Sequence, residues 1–137
     1  MKRSAAYTFA FLGGAAAWTI ASRIGGEAEA WDAPVYLEAA LPALAAFVAL
    51  LGFWLRERVG ALGIAASVGQ MIGLAATRGE HAMWFVDAAF LSAQAIPFGV
   101  CAWLGGRVRG ALGATLRTAA RGARFCSRRT RRLRRVA

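Results

Sequence analysis

The side chains able to do chemistry are few and unevenly placed. One imidazole (His81), seven carboxylates and two thiols stand in 137 residues. Nucleophilic catalysis needs a nucleophile, a base and an orienting group within hydrogen-bond reach. His81 stands among charged residues between two apolar runs, whereas Ser67 and Ser92 lie inside such runs, so no Ser–His dyad is evident. There is no H-E-x-x-H, no C-x-x-C, no glycine-rich phosphate loop after a strand and no pair of histidines for haem. The sequence predicts no enzyme and no cofactor. One His among scattered carboxylates also lacks the fixed spacing of a zinc site, so no metal is expected. Cys101 falls in an apolar run and Cys126 in a basic tail, which reads as two free thiols in a reducing compartment.

Two polar groupings remain. The first gathers connector residues expected on one face: Glu29, Trp31, Asp32, Tyr36, Glu38, Arg78, His81 and Asp87. Asp32 followed by Ala33-Pro34 suits a helix start, with Asp32 as N-cap and Trp31 as an interfacial anchor. Arg78 could pair with Asp32 or Glu38 and tie the connectors together. Asp87, about one turn into the last apolar run, could snorkel to the interface. The second grouping is a pair of amides, Gln70 and Gln94, deep inside apolar runs. Each must find a partner, because hydrocarbon offers none.

What positions these groups is a set of charge-free intervals: residues 4–22, 39–55, 59–77 and 88–106. Mean hydropathy is +0.47 and 58% of residues are apolar, which excludes a disordered chain and an ordinary soluble domain. A helix crossing about 30 Å of hydrocarbon needs about 20 mainly apolar residues, so each interval suffices once interfacial residues are included. Leu41 to Trp54 is apolar all round, unlike the one-sided face of a soluble core helix. No segment alternates as a barrel strand must. The fold class is therefore all-α: a polytopic membrane protein with four transmembrane helices in an up-down bundle and a basic C-terminal tail.

The net charge of +10 belongs to that tail. Residues 1–106 hold six Lys/Arg and all seven carboxylates, while residues 107–137 hold eleven Arg and no acid. The chain thus divides into a four-span domain, 1–106, and an Arg-rich tail, 107–137. Lys2, Arg3, Arg56, Arg58 and the tail put the cations on one side, so both termini are expected in the cytoplasm. Trp18, Trp31, Tyr36 and Trp84 would form the outer aromatic belt, and Tyr7, Trp54 and Trp103 the inner one. A cleaved signal peptide ending at Ala28-Glu29-Ala30 is the competing reading of the first run, disfavoured by its length and by the charges before the site. Arg107, Arg109, Arg117, Arg121, Arg124, Arg128 and Arg129 read as lipid-surface residues held by an anionic inner leaflet. Nucleic acid is the disfavoured partner, since Phe125 is the tail's sole aromatic and provides no stacking platform.

Packing signals point inward. Gly69 and Gly73 stand at GxxxG spacing, expected mainly to pack within the bundle, with a homo-oligomer face as the alternative. Pro42 and Pro97 each remove a backbone hydrogen bond and should kink their helices.

The run E-A-W-D-A-P-V-Y from Glu29 to Tyr36, with Pro42, Arg56, Arg58, Gly69-Gln70, Gly79, Trp84 and Pro97, resembles a group of small uncharacterised bacterial four-helix membrane proteins. These carry an E-x-W-D-x-x-x-Y signature after the first span; Leu37 stands where they often have Trp. The resemblance covers roughly residues 5–106 and implies the architecture but no activity. The resulting expectation is a small integral protein of the bacterial inner membrane, a non-enzymatic accessory or structural component with a membrane-protein partner or a second copy. The alternative is a small transporter or channel subunit using Gln70, Gln94 and Asp87.

Overall fold

The computed structural model describes residues 3–27, 30–55, 60–77 and 84–133, with side chains described between residues 4 and 118, Trp84 excepted. Every regular element among them is helical: α1 (Arg3–Gly25), a 3-10 turn (Ala30–Asp32), a π turn (Tyr36–Ala40), α2 (Leu41–Trp54), α3 (Gly60–Thr77) and α4 (Trp84–Leu133). Three stretches, Tyr36–Trp54, Gly60–Thr77 and Phe85–Thr118, are long and apolar enough to cross a membrane. α1, with 23 residues, spans about 35 Å at 1.5 Å per residue, but Tyr7, Thr8, Thr19 and its glycines dilute its apolar content.

The ends of these helices follow from local chemistry. Gly26 adopts φ +70°, and its N–H donates to the Ser22 carbonyl oxygen at 3.0 Å, closing α1 with a left-handed residue that favours glycine. The Ser22 hydroxyl donates to the Glu27 carbonyl at 2.7 Å. In the connector, the N–H of Ala33 donates to Ala30 O and that of Tyr36 to Ala33 O, so backbone carbonyls take those turn donors. Ahead of Pro42 the chain widens into a π turn. The Leu41 N–H reaches back five residues to Tyr36 O, and this π turn relieves the clash between the Pro42 ring and the carbonyl four residues earlier. Pro97 lies inside an uninterrupted α4. That helix also runs through position 106 as far as Leu133, so the boundary between span and tail is a change of composition within one helix.

Helix directions alternate, but sequence neighbours are not the main packing partners. α1 packs chiefly on α3, α3 on α4 and α4 on α2, while α1 touches α2 lightly. The ring therefore runs α1, α3, α4, α2. Glycine sets this order at each close seam. A Cβ on Gly14 would meet the Ala66 carbonyl, and one on Gly69 the Phe11 carbonyl, so α1 and α3 touch backbone to backbone. Gly52 and Gly105 do the same between α2 and α4 against Ala102 and Ala49, and Gly63 between α3 and α4 against Ala95 and Gly99. Small residues permit such approach where lipid supplies little drive for association. Gly73 also faces α1, where a Cβ would come within 2.9 Å of Trp18 Cβ, so the Gly69/Gly73 pair packs within the bundle.

Two layers of core result. At one end Leu44, Val48, Leu51, Leu55, Leu62, Ala66, Phe98 and Ala102 form an aliphatic cluster with Ala6 and Ala10. At the other, Trp18, Ala21, Ala30, Tyr36, Leu74 and Leu91 form an aromatic one.

Candidate functional site

The candidate site sits just beneath the aromatic end, where the two polar groupings of the sequence meet. The π turn at the head of α2 directs Tyr36 into the bundle, and the residue is fully buried. Its hydroxyl lies 2.6 Å from Gln70 Oε1 of α3 and 3.2 Å from Gln94 Oε1 of α4. Gln70 is fully buried and Gln94 nearly so. One phenol thus joins three helices. It carries a single proton, so the shorter contact to Gln70 takes it, and half a turn of the Gln94 amide would let that side chain donate to the phenol oxygen instead. Either way each amide spends one end on Tyr36.

The other ends are unused. Gln70 Nε2, Gln94 Nε2 and Ser67 Oγ are buried and have no hydrogen-bond partner among the described residues. Ser67 and Gln70 lie one helical turn apart on α3. On α4, Asp87, Leu91, Gln94, Phe98 and Ala102 recur at spacings of four, three, four and four, and all are buried, which makes one inward stripe. Asp87 stands in the first turn of α4, where the amino end of the helix favours a carboxylate, and it is only 2% exposed. It points into the bundle rather than snorkelling outward.

An aromatic cap covers the polar group. Trp18 is fully buried; its ring meets Trp31 edge-on at 5.1 Å and Tyr36 at 5.6 Å, and Trp31 meets Phe90 at 5.2 Å. Trp18 Nε1 donates to Thr77 Oγ1 at 3.1 Å, and Thr77 Oγ1 in turn donates to backbone carbonyls of its own helix. Trp18 and Tyr36 are therefore core residues, not the interfacial belt that their position suggested. Trp54 and Trp103, both about half exposed, do face outward.

Of the connector cluster, Tyr36, Trp31 and Asp87 belong to this end of the core, whereas Asp32 and Glu38 are exposed. Glu29, Arg78 and His81 lie outside the described residues, as does any pairing of Arg78. Among the tail residues, Arg107 is exposed with its guanidinium 4.8 Å over the Trp103 ring, and Arg117 is exposed. Arg109, half-buried, makes a defined contact. Its Nη1 donates to the carbonyls of Phe53 at 3.1 Å and Trp54 at 2.9 Å, closing the carboxyl end of α2. Arg121, Arg124, Arg128 and Arg129 lie on α4, with side chains outside the described set.

Sequence reasoning missed the link between Tyr36 and the two amides. Tyr36 lies three residues outside the charge-free run, which made it an interface residue; the signal was that two buried amides needed a hydroxyl partner. Compared with family models, with curated proteins and with solved structures, the chain finds no match.

Proposed function

We propose that the chain is a four-span integral protein of the bacterial cytoplasmic membrane, both termini inside, acting as a non-enzymatic accessory or structural component. The observation that carries this reading is an inverted surface. Phe9, Leu12, Ile20 and Ile24 of α1, Leu50 of α2, Ile64 and Ile72 of α3 and Phe85, Ile96 and Val100 of α4 are all about half exposed or more, while Gln70, Gln94 and Asp87 are buried. Water penalises that arrangement and hydrocarbon favours it. α1 is counted as a span because it lies in backbone contact with the middle of α3, so it shares that helix's depth.

The cation bias of the connectors supports the orientation. The partners of this reading are an anionic inner leaflet, met first by Arg107, and another membrane protein or a second copy. In the transporter alternative Gln70, Gln94 and Asp87 line a path; Tyr36 bonded to both amides, between an aromatic cap and an aliphatic layer, favours a hydrogen-bonded hub that fixes helix positions. The test is purification of the full chain in mild detergent. The expected result is sedimentation with membranes in the absence of detergent and a stoichiometric membrane-protein companion or second copy after extraction. A chain that stays in the supernatant without detergent, or one that migrates alone, contradicts the reading.

A further inference from the structure

Past Arg109, which closes α2, α4 runs on as one uninterrupted helix to Leu133, and residues 111–118 are exposed apart from half-buried Gly113. No proline follows Pro97 in it and no π turn breaks it, so it lacks the sharp bend that would lay it along a leaflet. At 1.5 Å per residue, position 121 stands about 18 Å beyond Arg109 and position 131 about 33 Å. Both distances exceed the screening length of about 8 Å at physiological ionic strength. The leaflet meets Arg107; the arginines further out need another anion.

Their order says which one. Arg117, Arg121, Arg124, Arg128 and Arg131 recur at spacings of four, three, four and three, the period of a coiled-coil seam, and at 3.6 residues per turn these positions share one face of α4 within about 80°. Like charges thus stand one turn apart along that face, and Gly110, Gly113 and Gly122 interrupt the stretch. Both features disfavour a helix left alone in water. A facing row of carboxylates removes the repulsion and offers each guanidinium a planar, two-pronged acceptor. The chain does not supply that row, and neither does a second copy: of its seven carboxylates only Glu57, between Arg56 and Arg58, lies on the side expected for the tail.

We infer that this face of α4 docks an acidic α-helix of another protein, one carrying Asp or Glu at the same alternating spacing of four and three. Two helices lying side by side share one rise per residue, so carboxylates at that period stay opposite the arginines along the whole stripe. Nucleic acid is a poorer fit. A helix seated in a groove meets phosphates on both flanks, whereas these arginines occupy one face, and Phe125 alone offers a ring for stacking. This inference rests on the accessory reading above and deepens it by giving the partner's chemistry.

The test uses the full chain in nanodiscs of neutral phosphatidylcholine and follows the fluorescence anisotropy of a labelled helical peptide with Glu at that spacing. A peptide of the same composition with Glu spread round the helix is the control. The expected result is saturable binding, at least tenfold tighter for the first peptide. Arg121→Ala, Arg124→Ala, Ala119→Arg and Ala123→Arg made together move two arginines off the face at constant net charge; they should weaken binding at least tenfold and, lying beyond the bundle, leave its thermal midpoint unchanged. Equal binding of the two peptides, binding untouched by the charge-conserving variant, or tighter binding of a single-stranded or duplex oligonucleotide overturns the inference. So does loss of peptide binding when phosphatidylglycerol replaces the neutral lipid, since the leaflet would then hold the stripe. A chain that sediments with membranes and brings a companion yet binds no peptide fails here alone; one left in the supernatant without detergent strikes the membrane reading instead.

Discussion

The two ends of the bundle are built on different principles. At the aliphatic end, Leu44, Val48, Leu51, Leu62 and Phe98 fill space, with the Gly52/Gly105 seam beside them bringing backbones together. Apart from Arg109 on the Phe53 and Trp54 carbonyls, the contact there is held by shape. At the aromatic end the order is specified by bonds with direction: Tyr36 to Gln70 and Gln94, and Trp18 to Thr77. Shape alone allows helices to slide; a hydroxyl 2.6 Å from one amide does not. The difference assigns packing strength to one end and register to the other, and places the only unused buried donors described where register is set.

The largest expected effect comes from the glycine seams, which should be equally intolerant at both ends. Gly69→Leu and Gly105→Leu each put side chain where a facing carbonyl lies, and each should cost about 3 kcal/mol. Loss of a monodisperse peak in detergent, with a lowered thermal midpoint, would show it; a tolerated Gly69→Leu would break the claim that backbone contact orders the ring. Next comes the hub. Tyr36→Phe keeps the ring and removes the hydroxyl that meets both amides, at a cost of about 1–2 kcal/mol. A double-mutant cycle with Gln70→Leu should show the pair coupled, whereas Val48→Ala combined with Tyr36→Phe should be additive because the two lie in different layers.

Trp18→Phe should cost about 1 kcal/mol, part of it from the bond to Thr77 and part from reduced ring contact, so Thr77→Val alone should reproduce only a fraction of that loss. Arg109→Leu is the smallest, about 0.5 kcal/mol, from loss of the closure on the Phe53 and Trp54 carbonyls. Arg107→Leu, which removes an exposed ring contact, should change the thermal midpoint less than Arg109→Leu; the reverse order would move the anchoring role to the wrong arginine.

Helix extents were largely legible from residue order because charge-free runs report directly on what hydrocarbon tolerates. The run 59–77 became Gly60–Thr77, and 39–55 became α2 with its π turn. The inward use of Gly69 and Gly73 was legible too, since small residues at that spacing need a backbone to face. The ring order was not. α1 on α3, rather than α1 on α2, depends on Gly14 meeting the Ala66 backbone and Gly69 the Phe11 backbone, and no one-dimensional spacing pairs such glycines with the distant carbonyls they face. Tyr36 was misplaced for a related reason: distance from the nearest charge ranked it as interfacial, while the π turn ahead of Pro42 carries it inward. Arg109 was hidden among eleven arginines of equal appearance; only the adjacency of α2 and α4 distinguishes it.

The claim on which the account depends most is that α1 crosses the bilayer together with the three more apolar helices, which returns both chain ends to one side. Reporter fusions at the amino end, within 78–83 and after Ala137 measure this directly in intact cells. The account predicts reporters active only in the cytoplasm at both ends, and an exported reporter active at 78–83. An exported reporter active after Ala137, or amino and carboxyl ends on opposite sides, would contradict it.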